Sequence, residues 1–458
     1  MNVVLISTYE LGRQPFGLSS PAAWLKELGA TVTCLDLAIQ RLDRQAIAAA
    51  DLVAFYVPMH TATRLAARLV QQVKQMNPRA HLCFYGLYAP LNEEYLRALG
   101  AQTILGGEFE EGLAALARRL ADTPAHRQPV QPEPRVSLAR QRFRTPDRSG
   151  LPPLDKYAYL QLGSDTRRIA GYTEATRGCK HLCRHCPIVP VYQGRFRIVQ
   201  QEVVLEDIRR QVAAGAQHIT FGDPDFFNGP GHALAIVQAL HAEFPALTYD
   251  VTIKIEHLLK HARRLPVLRE TGCVLITSAV ESIDPIVLDY LDKGHTREDF
   301  IQAVGLCRSA GLVLNPTFVA FTPWTTLHGY VELLALLAEL DLIEHVAPIQ
   351  YAIRLLIPAG SRLLELPQVQ ALVQGFDPET LSYPWSHPDP RVDRLFAEVM
   401  DAVKDGLARN QSRSQVFDRV WRLACAAAGA SPPNGWTLGR REGVRAQVLP
   451  TLSEPWYC

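Results

Sequence analysis

The stretch Thr176–Pro187, "TRGCKHLCRHCP", holds Cys179, Cys183 and Cys186 together with His181 and His185. Thiols this close ask for a common ligand or a common core. Zinc prefers four ligands in a tetrahedron, commonly two close pairs separated by a longer loop, and no second Cys-x2-Cys pair occurs in the chain. A zinc site would have to borrow His181 or His185. Three thiolates alternatively hold three irons of a 4Fe–4S cluster and leave the fourth iron open to a small molecule.

Position bears on the choice. "IAGYTEATRG" (169–178) reads as a strand, followed by "HITFGD" (218–223), "TYDVTIK" (248–254), "CVLITSAVES" (273–282), "VLNPTFVAF" (313–321) and "VAPIQYAIRLL" (346–356), with helical patterns between them. Such a βα series predicts a partial barrel of six units with its chemistry at the carboxyl ends of the strands. The cysteines then sit on the loop after the first barrel strand.

Upstream, "NVVLIS" (2–7), "TVTCLD" (31–36), "LVAFYV" (52–57), "HLCFYG" (81–86) and "QTILGG" (102–107) are continuous apolar runs of the kind buried on both faces of a parallel sheet. Residues 61–76 carry a clear helical period, and "SSPAAWLKELG" (19–29) reads as a helix opening on a Ser cap with Pro in its first turn. The fold class expected is α/β: a flavodoxin-like domain over 1–120, a Pro- and Arg-rich linker over 121–153, a barrel over 154–360 and a mostly helical region with a tail over 361–458. Six arginines in the linker suit a domain-bridging segment better than a nucleic-acid contact.

The chain has 458 residues, 48% of them hydrophobic and 20% charged, which suits a globular protein with sizeable cores. A net charge of +1 provides no bulk attraction to nucleic acid or anionic membrane. No apolar run reaches transmembrane length and the start lacks the pattern of a signal peptide, so a cytoplasmic location is expected. Nine cysteines in such a chain read as reduced thiols. Cys34, Cys83, Cys273, Cys307 and Cys425 sit singly among apolar neighbours, as small buried hydrophobes do.

The spacing Cys-x3-Cys-x2-Cys on the first barrel loop resembles the radical S-adenosylmethionine (SAM) superfamily. That resemblance implies a 4Fe–4S cluster on Cys179, Cys183 and Cys186 whose open iron chelates SAM. It also implies a set of cofactor contacts. Gly222, Asp223 and Asp225 in "FGDPDF" match the motif that receives the methionine amino group, and Glu281 in "SAVES" matches the position facing the ribose. His185, Lys254 and Arg354 complete the expected set. The N-terminal part resembles the cobalamin-binding domain that precedes the barrel in one class of these enzymes, carried by "ILGGEFEEGL" and "SGLPPLDKYAYL". The Asp-x-His-x-x-Gly motif that supplies a cobalt ligand in many cobalamin proteins is absent from residues 1–120. Cobalamin is therefore expected, if bound, without a histidine on cobalt.

A further likeness, carried by "CKHLCRHCPIVPVYQGRFR" and the final "SEPWYC", is to a radical SAM group with a Cys-(Cys or selenocysteine)-Ala-Glu-Pro tail. It implies a functional thiol at Cys458 and the possibility of a selenoprotein whose UGA codon was read as a stop. The activity implied is reductive SAM cleavage acting on a small-molecule or peptide substrate, with methyl transfer the favoured outcome and a flavodoxin or ferredoxin as electron donor. The alternatives are 3-amino-3-carboxypropyl transfer, a tRNA methylthiotransferase-like activity, and a non-enzymatic metal-binding protein. Membrane and nucleic acid are not expected partners.

Overall fold

The computed structural model describes residues 1–121, 132–163, 166–430 and 449–454. Its first sheet is built from β1 (Asn2–Ser7), β2 (Thr31–Asp36), β3 (Leu52–Tyr56), β4 (His81–Tyr85), β5 (Thr103–Gly107) and β6 (Val136–Ser137), in the order β2-β1-β3-β4-β5-β6. Every pairing is parallel, and both faces are covered by apolar clusters, which is why the strands read as unbroken hydrophobic runs. The helix His60–Met76 buries Ala62, Ala66, Val70 and Val73, one stripe at helical spacing.

The first helix corrects one expectation. It runs Phe16–Glu27, so Ser19, Ser20 and Pro21 lie inside it and not at its start. Proline cannot donate to the carbonyl four residues earlier. The Tyr85 hydroxyl donates to that carbonyl, Gly17 O, at 2.8 Å and so relieves the break.

The second sheet holds β7 (Tyr159–Leu162), β8 (Thr166–Thr173), β11 (His218–Phe221), β12 (Thr248–Thr252), β13 (Cys273–Glu281), β14 (Val313–Phe318) and β15 (Thr451–Leu452), while β9 (Thr176–Gly178) and β10 (Phe196–Ile198) form a separate antiparallel pair. β8 and β11 to β14 are parallel and curl into a half-barrel; β7 and β15 continue its edge in antiparallel fashion. The expected sixth barrel strand is reduced to a single parallel bridge between Phe321 and Arg354. Residues Pro348–Ala352 wind into a 3-10 turn instead. Pro348 has no N–H to offer a ladder, and the Gln350 side chain accepts from the Phe318 N–H at 2.9 Å, occupying the bond a sixth strand would have made. The helices Pro390–Ala408 and Arg413–Ala428 follow, the second opened by a reciprocal Ser412/Gln415 cap. The architecture is thus α/β: a flavodoxin-like sheet, a half-barrel and a helical C-terminal region.

The segment after residue 131 straps the two sheets together. Arg148 forms a forked pair with Asp207 at 2.8 and 3.0 Å and also donates to Tyr172 O and to Gln14. Arg144 pairs with Glu27 and lies over the Trp24 ring. Arg177, at the end of the barrel's first connection, reaches into the start of the helix Phe109–Ala121, where its guanidinium meets Glu110 at 2.6 Å. The carboxyl ends of the two sheets are thereby held on a common cavity. No helix among the described residues is long and apolar enough to cross a membrane.

Candidate active site between the two sheets

A cavity of about 650 Å³ lies between the sheets. Tyr9, Pro58 and Tyr88, from loops at the carboxyl ends of the first sheet, line one side; Cys179, Cys183 and Cys186 line the other. The edge strand β15 brings Leu449 to Leu452 to the same wall. Cys458 lies outside the described residues, as does linker residue Arg127.

The cysteine loop leaves β9 through Gly178, whose φ is +73° and whose missing Cβ would lie 2.3 Å from the Tyr192 ring and 2.6 Å from Arg195 O. No other residue fits that turn. Asn228, from the loop after β11, then fixes the first cysteine: its Oδ1 accepts from the Lys180 N–H at 3.2 Å and sits 3.8 Å from Cys179 Sγ, and its Nδ2 donates to Gly178 O. Further along, Arg184 N donates to Leu291 O, while Arg184 O and Leu182 O accept from Ser361 and Arg362. The loop is thus tied by hydrogen bonds at both ends.

The sulfur spacing separates the two metal readings. Among the described residues, the single group of three His, Cys, Asp or Glu ligand atoms lying within 4.8 Å of one another contains no cysteine. One zinc ion, with bonds of about 2.3 Å to sulfur and 2.0–2.1 Å to histidine nitrogen, needs its ligands closer than that. A zinc site borrowing His181 or His185 would require these side chains to draw together from their present positions. Thiols set further apart suit a body that takes each through a different iron. Burial pushes the Cys179 thiol up to about 11, so a bound metal must displace its proton.

The expected cofactor contacts divide. Gly222 and Asp223 directly follow β11, and a Cβ on Gly222 would overlap the Tyr172 hydroxyl at 1.8 Å. Asp223 lines the cavity but is 1% exposed, and both its oxygens are used within the protein: Oδ2 accepts from Ala175 N at 2.9 Å and Oδ1 from the Thr176 hydroxyl at 2.5 Å. Burial raises its carboxyl to about 7 in spite of these donors. It clasps β11 to the cysteine connection. Asp225 Oδ1 caps the turn Phe226–Asn228 through Phe227 N, while Oδ2 lies 2.6 Å from His257 Nδ1 and 3.3 Å from His181 Nε2. Burial alone would raise its carboxyl, but the two imidazoles hold it down at about 2. Lys254 approaches His181 Nδ1 at 3.2 Å and Glu256 at 3.3 Å.

Glu281 lies at a register shift between β13 and β14, with φ +67°, which turns its side chain into the cavity mouth. Its Oε1 is 3.3 Å from Lys293 Nζ and 3.2 Å from His185 Nε2. Against the penalty of burial, Lys293 and His185 hold this carboxyl at about 2. His185 Nδ1 has no hydrogen-bond partner among the described residues. Arg354 lines the cavity, where it pairs with Asp393 at 2.7 Å, donates to Trp385 O and stacks 3.6 Å over the Trp385 ring. Sequence reasoning missed Asn228, His257 and Lys293, since each meets the site only through the fold.

Residues 173–334 match the model of the radical SAM superfamily. The chain carries a radical SAM domain. Its half-barrel and N-terminal sheet together resemble the radical SAM methyltransferase TsrM from Kitasatospora setae, solved with tryptophan and a SAM analogue, at a TM-score of 0.67 and 15% identity over 94% of this chain and 96% of that one. The cobalamin-dependent enzyme OxsB, solved with aqua-cobalamin and SAM, gives a TM-score of 0.66 at 15% identity over 88% of this chain and 67% of its own. At such identity these likenesses establish the fold alone. A curated relative, the tRNA-2-methylthio-N(6)-dimethylallyladenosine synthase of Prosthecochloris aestuarii, is 25% identical over 179 residues, and this chain spans 40% of its length.

Proposed function

We propose that this chain is a cytoplasmic radical SAM enzyme that holds a 4Fe–4S cluster on Cys179, Cys183 and Cys186, binds SAM beside it, and acts on a small-molecule or peptide substrate with a flavodoxin or ferredoxin as electron source. The carrying observation is the cysteine loop: three thiols too far apart for one ion, on a preshaped turn, facing a cavity closed by a second sheet. With the cluster bound, one-electron cleavage of SAM supplies a 5′-deoxyadenosyl radical for hydrogen abstraction. The chain's own part is placement and exclusion of water. Glu281, kept ionised between His185 and Lys293, is an acceptor for hydroxyl groups at the mouth.

Methyl transfer with cobalamin belongs to the same reading. The cavity runs unbroken from the carboxyl ends of β1 and β3, the point where the first sheet's strand order reverses and where such sheets bind ligands, to the cysteine loop. Tyr9, Leu11, Met59 and Tyr88 would face a flat macrocycle there. His60, on the same wall, is turned aside by its contact with Thr380 O, which agrees with a cobalt lacking histidine. When bound, cobalamin supplies a methyl carrier. The tRNA-modifying relatives favour a second reading, methylthio transfer to tRNA.

The deciding experiment is anaerobic reconstitution with iron and sulfide, then incubation with SAM, a reductant and cobalamin. 5′-Deoxyadenosine in the products, and cobalamin retained without histidine nitrogen coupling in the electron paramagnetic resonance spectrum, are expected. No SAM cleavage by a fully loaded protein rejects the reading, and RNA-dependent sulfur insertion favours the second. Glu281→Gln is expected to weaken SAM binding by about 10-fold, the loss of one charge-assisted hydrogen bond, with the cluster retained. Asp223→Asn is expected to lower the unfolding temperature more than the affinity, because its partners are backbone and Thr176. Equilibrium dialysis and thermal scans separate the two; unchanged affinity in Glu281→Gln removes it from the site.

A further inference from the structure

Beside the cysteine loop stands a second group of donors that the reading above leaves unused. Asp225 Oδ2, His181 Nε2 and His257 Nδ1 lie within 4.8 Å of one another. Asp225 and His257 are each 1% exposed. The contacts to Asp225 Oδ2 are 2.6 Å from His257 and 3.3 Å from His181, yet none of the three atoms makes an aligned hydrogen bond. An imidazole proton or lone pair lies in the ring plane, so a simple histidine–aspartate pair would turn the ring until that plane contains the oxygen. Here the two rings are tilted by 58° to each other with centroids 4.7 Å apart, and none of the three atoms makes a hydrogen bond of good geometry among the described residues. Buried polar atoms left in this state are costly.

We propose that His181, Asp225 and His257 form a mononuclear site for a divalent first-row metal ion, iron(II) or zinc, distinct from the cluster on the cysteines. Two imidazoles and one carboxylate are the donor set of three-ligand zinc sites and of mononuclear iron(II) sites, both of which keep positions open for water or substrate. Bonds of about 2.0–2.1 Å in a tetrahedron place ligand atoms about 3.3 Å apart; the His181–Asp225 pair has that separation already, and the His257–Asp225 pair reaches it by a small side-chain rotation. The supports are in place. Asp225 Oδ1 is fixed by the Phe227 N–H, which leaves Oδ2 aimed at the histidines. His181 Nδ1 faces Lys254 Nζ at 3.2 Å and Glu256 Oε2 at 3.6 Å; when Nε2 binds metal Nδ1 carries the proton, so Lys254 turns away and Glu256 closes in to accept that N–H, the carboxylate–histidine–metal relay that sets the tautomer. His181 and Asp225 line the main cavity while His257 backs them, so the open coordination positions face the space where substrate enters.

The inference does not depend on the cluster, and its test is built accordingly. The protein with Cys179, Cys183 and Cys186 all changed to Ala, stripped with chelator, is titrated with cobalt(II). One cobalt per chain, with visible d–d bands, is expected; Asp225→Asn or His257→Asn added to that background weakens binding by about 100-fold or more, since even supporting residues cost about 10- to 100-fold. In the unmutated, reconstituted protein the same site is expected to hold one iron or zinc beyond the iron that matches sulfide, lost in His257→Asn. This second measurement stands if the triple variant misfolds. Iron matching sulfide with no zinc, or cobalt binding that survives His257→Asn, overturns the proposal. One bound metal without sulfide rejects the cluster; it leaves the proposal standing where His257→Asn loses the metal, and overturns it where the metal is lost only with the three cysteines.

Discussion

Protein in which Cys179, Cys183 and Cys186 are all replaced by Ala is expected to purify colourless under anaerobic conditions, without acid-labile sulfide and without SAM cleavage, where the unmutated chain carries about four irons and four sulfides. The effect is all or none because, among the described residues, no other nearby side chain offers a thiolate. Every other described cysteine is buried in an apolar core, and burial raises the thiols of Cys34, Cys83, Cys273 and Cys307. The fold is expected to survive. The loop is tied down by Asn228, Ser361, Arg362 and the backbone at Leu291, none of which touches a sulfur except Asn228. Cys183, the most buried of the three at 7% exposed, loses one sulfur to a site open to the cavity, a change of about 1 kcal/mol. Iron, sulfide and zinc analysis together with circular dichroism checks both halves. One zinc and no sulfide in the unmutated protein reverses the assignment, and unfolding of the triple variant shows that the loop depends on its metal.

How much of this was legible in the sequence follows the range of each interaction. β1 to β5 were readable to within a residue or two because strands buried on both faces are continuous apolar runs, and the chain order then dictates a parallel sheet. The cysteine loop was readable because its ligands are local. Asp223 was not: its partners Ala175 and Thr176 lie 48 and 47 residues away, so a carboxylate that looks free in "FGDPDF" is closed in the fold. Asp225, likewise expected to meet a ligand's amino group, faces His257, a residue whose sequence neighbourhood gives no hint of a site. Arg354 was expected at the mouth or its wall on the strength of a sixth strand; it does line the cavity, although that strand gives way to a 3-10 turn at Pro348. The packing partners that claim Arg354, Trp385 and Asp393, come from a region without a periodic pattern. Pro21 shows the reverse case, a helix-start signal overruled because Tyr85, on another strand, supplies the missing donor.

Arg177→Met is expected to cost about 3–5 kcal/mol, the loss typical of removing one side of a buried ion pair. Arg177 is 6% exposed. Its guanidinium faces Glu110 at 2.6 Å, Glu174 at 2.7 Å and Glu108 at 3.7 Å, and lies 4.9–5.5 Å from the ring centres of Phe143, Phe109 and Phe16. Met keeps much of the apolar contact and removes the charge, leaving three carboxylates of two different sheets together without a cation. The pH dependence identifies the cause. Burial would raise Glu110, but Arg177 holds it below the ordinary carboxylate range, so its stabilising contribution is present above about pH 4.5 and fades as pH falls. Glu108 is different, since burial carries it up to about 7 against the pull of Arg177. A raised carboxyl stabilises below its unfolded value and loses that contribution as pH rises through the folded one. Without Arg177 all three glutamates behave like Glu108. The defect of Arg177→Met is therefore expected to be largest at pH 7–8 and to shrink toward pH 5, as protons replace the missing cation. Glu108→Gln, which makes a proton-bearing group permanently neutral, is expected to be near wild type at pH 5 and relatively more stable than wild type above pH 7. Denaturant unfolding across this pH range reads all three proteins. A defect independent of pH would show that Arg177 acts through its contacts with Phe16, Phe109 and Phe143 and not through its charge. The charge is the stronger expectation, because Met retains much of the apolar contact with the three rings, whereas no second buried cation meets Glu110 among the described residues.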